Sequence, residues 1–137
     1  MNTAKFLDVN PVLPVTHMAA AIRFYTENLG FRLLFQDPAD INLADPNPWH
    51  PSYAVVGRDQ VRVHLQSHNP DNDDRAEPLH IRFLIDDVDG LYSEYQSSGA
   101  IHLDRFTGMT LADTPWGTHE FGLYDPDRNG LFFYRDL

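Results

Sequence analysis

The side chains of this protein that can do chemistry are seven histidines, two tryptophans and an excess of carboxylates, with no cysteine. Without a thiol there is no disulfide framework, no thiolate metal site and no cysteine nucleophile. No serine sits in a strained, glycine-flanked turn beside a base, and no glycine loop has the spacing that cradles phosphate. Recognition chemistry remains. Trp116 stands between Pro115 and Gly117 at a strand entrance, a large flat side chain that either caps the core or stacks on a ligand. Trp49 and His50 lie in a Pro- and Asp-rich loop over residues 36–52, a length and composition that point to a functional segment. His64 and His80 each fall on an expected strand. An imidazole there is more often a hydrogen-bonded wall residue than a metal ligand.

These residues need elements to hold them. Residues 118–124 mix aromatic, aliphatic and polar side chains as a sheet strand does, 125–130 pack Pro, Asp, Asn and Gly into one turn, and 131–134 return. Pro126 presets the turn and Gly130 tolerates positive φ, so the spacing predicts a β-hairpin. Residues 10–15 read as a short strand whose two prolines suit an edge or a chain-swapped position. Residues 17–29 read as an amphipathic helix with Met18, Ala21, Ile22, Tyr25 and Leu29 on one face, Thr16 capping its start and Gly30 its end. A strand over 31–36 follows, then a hairpin of 53–57 and 60–66 around Arg58 and Asp59, then an acidic, solvated linker over 67–79.

After the linker the pattern restarts. Residues 80–85 form a strand and 87–98 a helix, with Val88, Leu91, Tyr92 and Tyr95 on one face and Gly99 at its end. An offset of 70 carries Met18 onto Val88 (88 − 18) and Leu13 onto Phe83, and one of 68 carries His64 onto Phe132 (132 − 64). The chain therefore reads as a single α+β domain of two β-α-β-β-β modules, 7–66 and 80–137. Strand alternation then sorts the faces. Leu13, Val15, Val63, Leu65, Phe83 and Ile85 should face the helices. Asn10, Val12, Pro14, Arg62, His64, Gln66, His80, Arg82 and Leu84 fall opposite, joined through the repeat by Phe132 and Tyr134. A solvated sheet face rarely mixes His, Arg, Asn and aromatics in this way, so the second face reads as a cavity wall.

The repeat, together with Phe24-Tyr25-Thr26-Glu27-Asn28-Leu29-Gly30-Phe31 and with Pro115-Trp116-Gly117, Glu120-Phe121, Asp125-Pro126 and Asn129, resembles the vicinal oxygen chelate superfamily, and within it the bleomycin-resistance proteins most. The resemblance implies modules that curl into a cup with helices outside, in a homodimer with ligand crevices between subunits. It further implies a non-catalytic protein that sequesters a planar aromatic natural product or antibiotic, giving resistance or self-protection, without a cofactor. Trp116 and Trp49 would then stack on the ligand, Phe132 and Tyr134 would form the apolar wall, and His64, His80, Arg82 and Asn10 would orient polar groups. Glu120 is a weaker candidate, for a ligand cation. Arg82 stands where bleomycin-binding members tend to carry another aromatic residue, which favours a neutral, acidic or phenolic planar ligand over bleomycin. The superfamily's lyases and dioxygenases bind a divalent metal at positions matching Asn10, His64, His80 and Phe132. That alternative keeps the two imidazoles but meets a phenyl ring and no carboxylate.

The totals agree with a small-molecule binder. A chain of 137 residues, 42% hydrophobic, suits one domain that buries about two-thirds of its unfolded surface. Ten basic against 20 acidic residues give a net charge of −10, the wrong sign for a nucleic-acid footprint. No apolar run is long enough to span or target a membrane, and the lack of cysteine suits the cytoplasm.

Overall fold

The structure, a computed structural model, describes residues 2–39, 47, 50–72, 74, 76–102 and 108–137. Along the chain β1 (Val12–Val15) is followed by α1 (Met18–Arg23), which runs on into a π-helical turn (Phe24–Asn28). Next come β2 (Arg32–Asp37), β3 (Tyr53–Arg58) and β4 (Val61–Ser67), then β5 (His80–Leu84), α2 (Val88–Ser97), β6 (Met109–Asp113), β7 (Thr118–Tyr124) and β8 (Gly130–Asp136). The strands form two four-stranded sheets, β1-β4-β3-β2 and β5-β8-β7-β6, each with one parallel pair and two antiparallel pairs. This is the expected α+β architecture. The internal repeat survives at the level of register. Val12 lies beside His64 in the first sheet and Arg82 beside Phe132 in the second, and the two offsets carry one pair onto the other.

Alternation explains why each sheet buries one face. Leu13, Val15, Ala54, Val56, Val63 and Leu65 are fully buried, together with Met18, Ala21, Tyr25 and Leu29 of the first helix. In the second sheet the phenyl rings of Phe83 and Phe121 each stack on Phe133 at 5.0 Å, and Tyr95 of α2 meets Phe133 edge-on at 5.4 Å. Side chains of this size contribute about 1.5–3 kcal/mol each when fully buried. Gly30 and Gly99 end their helices in left-handed backbone, as expected.

Two local expectations give way. Thr16 does not cap α1: His17 holds the cap position without a side-chain bond. The Thr16 amide and hydroxyl instead donate to Asp127 in the β7–β8 loop at 2.9 and 2.7 Å, charge-assisted bonds that are stronger than the neutral bond a capping hydroxyl would accept. Gly130 does not take positive φ, which falls on Arg128. Gly130 opens β8, where an added Cβ would lie 2.7 Å from the His80 ring. The repeated β-α-β-β-β module requires a strand between α2 and β7, and β6 supplies it, though its own residues do not mark its position. It is a half-exposed edge strand, bulged where it meets β7, so it carries little hydrophobic alternation.

The two sheets are tied through their connecting segments. The buried Tyr25 hydroxyl donates to Asp125 at 2.8 Å and the Asn129 amide donates to the Pro14 carbonyl at 3.0 Å. Burial raises the Tyr25 phenol well above its ordinary value, and the neighbouring Asp125 charge adds to the effect. At the opposite end Arg58 holds Glu94 of α2 through contacts of 2.6 and 2.9 Å, and the Tyr95 hydroxyl donates to the Leu29 carbonyl at 2.9 Å. Among the described residues no helix is long and apolar enough to cross a membrane.

Candidate functional site

The face of the second sheet turned away from α2 is laid out in three rows by register. His80, Gly130 and Tyr124 form the first, Arg82, Phe132 and Gly122 the second, and Leu84, Tyr134 and Glu120 the third. Two glycines make the surface flat. A Cβ at Gly122 would lie 2.6 Å from the Phe132 ring, so that ring can lie across the strand beside it. The His80 ring then packs against Phe132 at 5.5 Å and Tyr124 at 6.4 Å.

Trp116 overhangs this face from the turn between β6 and β7. It is 63% exposed, so it does not cap the core, yet its ring is not free. The indole N–H donates to Glu120 Oε1 at 2.8 Å. The same oxygen receives the Thr118 hydroxyl and, at 3.1 Å, Arg82 Nη2, while Arg82 Nη1 reaches Oε2 at 3.2 Å. The guanidinium lies over the Tyr134 ring, 4.5 Å from its centroid. Glu120 is only 1% exposed. Burial pushes its carboxyl upward, but the hydrogen bonds from Arg82, Thr118 and Trp116 outweigh burial and hold it below the ordinary carboxylate value. It is therefore ionised near neutral pH, and both oxygens are occupied by donors of its own chain. The positive charge of Arg82 is correspondingly matched from within the wall.

The structure thus gathers Trp116, Glu120, Arg82 and Tyr134 into one cluster, with Phe132 and His80 alongside. His64 belongs to the other sheet, in a row with Phe35, Val55 and Val12. Its Nδ1 lies 2.7 Å from the Tyr53 hydroxyl. Asn10 precedes β1 and lines a cleft of 520 Å³ together with residues 60–62 and 81–84, Arg82 among them. A larger cleft of 670 Å³ lies between the β3–β4 turn and α2, floored by Phe31, Phe83 and Phe133, and contains none of Trp116, Glu120 or Phe132. Trp49 lies outside the described residues. Thr118, Tyr53 and Tyr124 are partners that the sequence reading passed over. Thr118 sits two positions before Glu120, so alternation already assigns it to the same face.

The order of strands and the repeat are accompanied by a match to one family. A model described as the Glyoxalase/Bleomycin resistance protein/Dioxygenase superfamily matches residues 8–133. The chain belongs to this superfamily. A bleomycin resistance protein of Geobacillus stearothermophilus is 25% identical over 142 aligned positions, covering 93% of this chain and 95% of that one. Among solved structures, TnmS3, an antibiotic binding protein from Streptomyces sp. CB03234, matches with a TM-score of 0.70 at 22% identity over 99% of this chain and 100% of its own. The bleomycin-binding protein from bleomycin-producing Streptomyces verticillus, solved with copper(II)-bleomycin, matches with a TM-score of 0.65 at 21% identity over 98% of this chain and 100% of its own. At these identities the structural matches establish the fold.

Within the superfamily the metal positions are the natural place to test for catalysis. His64 is engaged with Tyr53, and Phe132 presents a phenyl ring packed on His80. Among the described residues no three of His, Asp and Glu gather where they could hold an ion. This donor set does not fit the divalent metal of the superfamily's enzymes.

Proposed function

We propose that this superfamily member binds and sequesters a planar aromatic natural product or antibiotic, without transforming it, in a cavity between two copies of the chain. The observation that carries the reading is Trp116: a mostly exposed indole whose orientation is set by a hydrogen bond to a buried carboxylate. An exposed aromatic ring held in one pose has already lost much of the freedom that stacking would otherwise cost. Phe132 and Tyr134 extend the apolar surface, His80 and Arg82 orient the ligand on the same wall, and Trp49 is a second stacking residue.

Three features support the dimeric cavity. The wall bearing Trp116 lies open in the single chain, with Leu84 66% exposed, and so does the His64 face, with Phe35 53% exposed. Each offers what the other needs to close over a ligand, with His64 and Asn10 completing the polar contacts. Residues 2–10 carry no regular secondary structure and bear Phe6, Leu7 and Val9, all almost fully exposed, an apolar segment suited to a second copy. The bleomycin resistance relative supports an antibiotic as ligand and resistance as the purpose.

A thermal-shift screen of aromatic antibiotics, bleomycin included, tests the reading. A binder should raise the melting midpoint, quench tryptophan emission and be recovered chemically unchanged after prolonged incubation. Deleting residues 2–10 should shift the protein from dimer to monomer by light scattering. A ligand recovered as a new product, or one bound equally well without the Trp116 ring, overturns the proposal.

A further inference from the structure

The hydrogen bonds under Trp116 have a consequence for which ligands the wall accepts. Trp116 Nε1 and Arg82 Nη2 end on the same oxygen of Glu120, at 2.8 and 3.1 Å, so indole and guanidinium sit side by side with the carboxylate behind them. Glu120 is 1% exposed, whereas the Arg82 side chain is 43% exposed and lies over the Tyr134 ring. A ligand on this wall therefore meets an aromatic face and a donor edge, while the matching negative charge stays out of reach. Two of the guanidinium's N–H groups go to Glu120, and the remainder make no further hydrogen bond among the described residues. They are available to an acceptor on the ligand's rim.

We propose that Glu120 is a positioning residue that joins Trp116 and Arg82 into one platform and, by cancelling the arginine's charge from beneath, sets the platform's selectivity. This rests on the sequestration reading and names its ligand class: an uncharged polycyclic aromatic with a carbonyl, amide or phenolic oxygen on its edge. Strongly cationic and strongly anionic rings are both disfavoured. A cation meets the guanidinium first, and an anion gains little because Glu120 lies behind it.

The test uses three probes with one ring system: anthracene-9-carboxamide, anthracene-9-carboxylate and 9-(aminomethyl)anthracene. Each is titrated at pH 8 by tryptophan quenching and by calorimetry. In the unaltered protein the carboxamide should bind best. Glu120→Gln keeps an oxygen for the indole but leaves Arg82 unpaired, so the carboxylate-to-ammonium affinity ratio should rise about tenfold or more. Arg82→Gln leaves the buried carboxylate unpaired and should move the same ratio about tenfold the other way. A purely structural role for Glu120 predicts equal losses for all three probes and no such opposition.

If the two variants shift the ratio in the same direction, or not at all, while Trp116→Ala still weakens binding at least tenfold, the proposal for Glu120 fails and the stacking site stands. If Trp116→Ala leaves all three probes unaffected, or none binds the unaltered protein, the sequestration reading fails and this one with it. Should Glu120→Gln not fold, the Arg82→Gln arm decides alone, because its predicted shift has a definite sign.

Discussion

Truncating Trp116 to alanine separates a ligand platform from a structural ring, and the structure sets the expected size of each effect. The indole is 63% exposed, so one face and its outer edge are open to a ligand. A fully covered aromatic side chain buries roughly 200 Å², and a ring lying on the open face would remove roughly 60–100 Å² of that from water. At about 25 cal/mol per Å² this is about 2 kcal/mol, and offset stacking adds about 1 kcal/mol. The variant should therefore lose about 3 kcal/mol and bind about 100-fold more weakly. Its stability should hardly change. Glu120 Oε1 loses one donor but keeps Arg82 and Thr118, a cost of about 1 kcal/mol, or about 3–5 °C in melting midpoint for a domain of this size. Calorimetric titration of any hit from the antibiotic screen, paired with circular-dichroism melts, measures both. Affinity preserved within twofold would refute the platform. A midpoint lowered by more than about 10 °C would show that the ring holds the hairpin together.

Three other outcomes follow from the same geometry. Tyr25→Phe removes the buried donor to Asp125 and leaves that oxygen with Asn129 alone. It should cost about 1–3 kcal/mol in denaturant unfolding, and an unchanged midpoint would mean the latch between the sheets carries no weight. His119 lies between Asp89 of α2 at 2.9 Å and Asp113 of β6 at 2.7 Å. Hydrogen bonds to Asp89 and Asp113 raise its imidazole above the ordinary value. That contribution is complete below the unfolded histidine value and is lost as pH rises through the folded one, so melts across pH 6 to 9 should show unaltered protein converging on His119→Gln at the alkaline end. A pH-independent gap between them would contradict the assignment. Protein purified without chelator should contain far less than one equivalent of nickel, zinc, manganese or iron by elemental analysis. Stoichiometric metal that disappears in His80→Ala would reopen the catalytic alternative.

How far the sequence alone reached can be judged at particular residues. Strand alternation sent Phe83 inward and His80, Arg82 and Leu84 outward, as the structure has them, because a side chain's face depends only on its place along an extended backbone. The helix stripe from Met18 to Leu29 held for the equivalent reason at helical period. Local pattern failed where a distant group competed. Thr16 has the chemistry of a helix cap, and nothing nearby in sequence reveals that Asp127 will claim it. Likewise β6 gains its strand character from pairing with β7 more than from its own composition.

The sequence by itself determined the repeated strand-helix order and the two faces of each sheet. These are properties of residue type and spacing, set by backbone periodicity and by hydrophobic burial. Only the tertiary structure decided what Glu120 does. From its neighbours in the chain it reads as an anchor for a ligand's cation. Register places it beside Tyr134 and within hydrogen-bond reach of Arg82 on β5 and the Trp116 turn, and its own carboxylate is buried beneath them. Hydrogen bonding and charge pairing depend steeply on separation, and that separation is set by how distant strands are brought together.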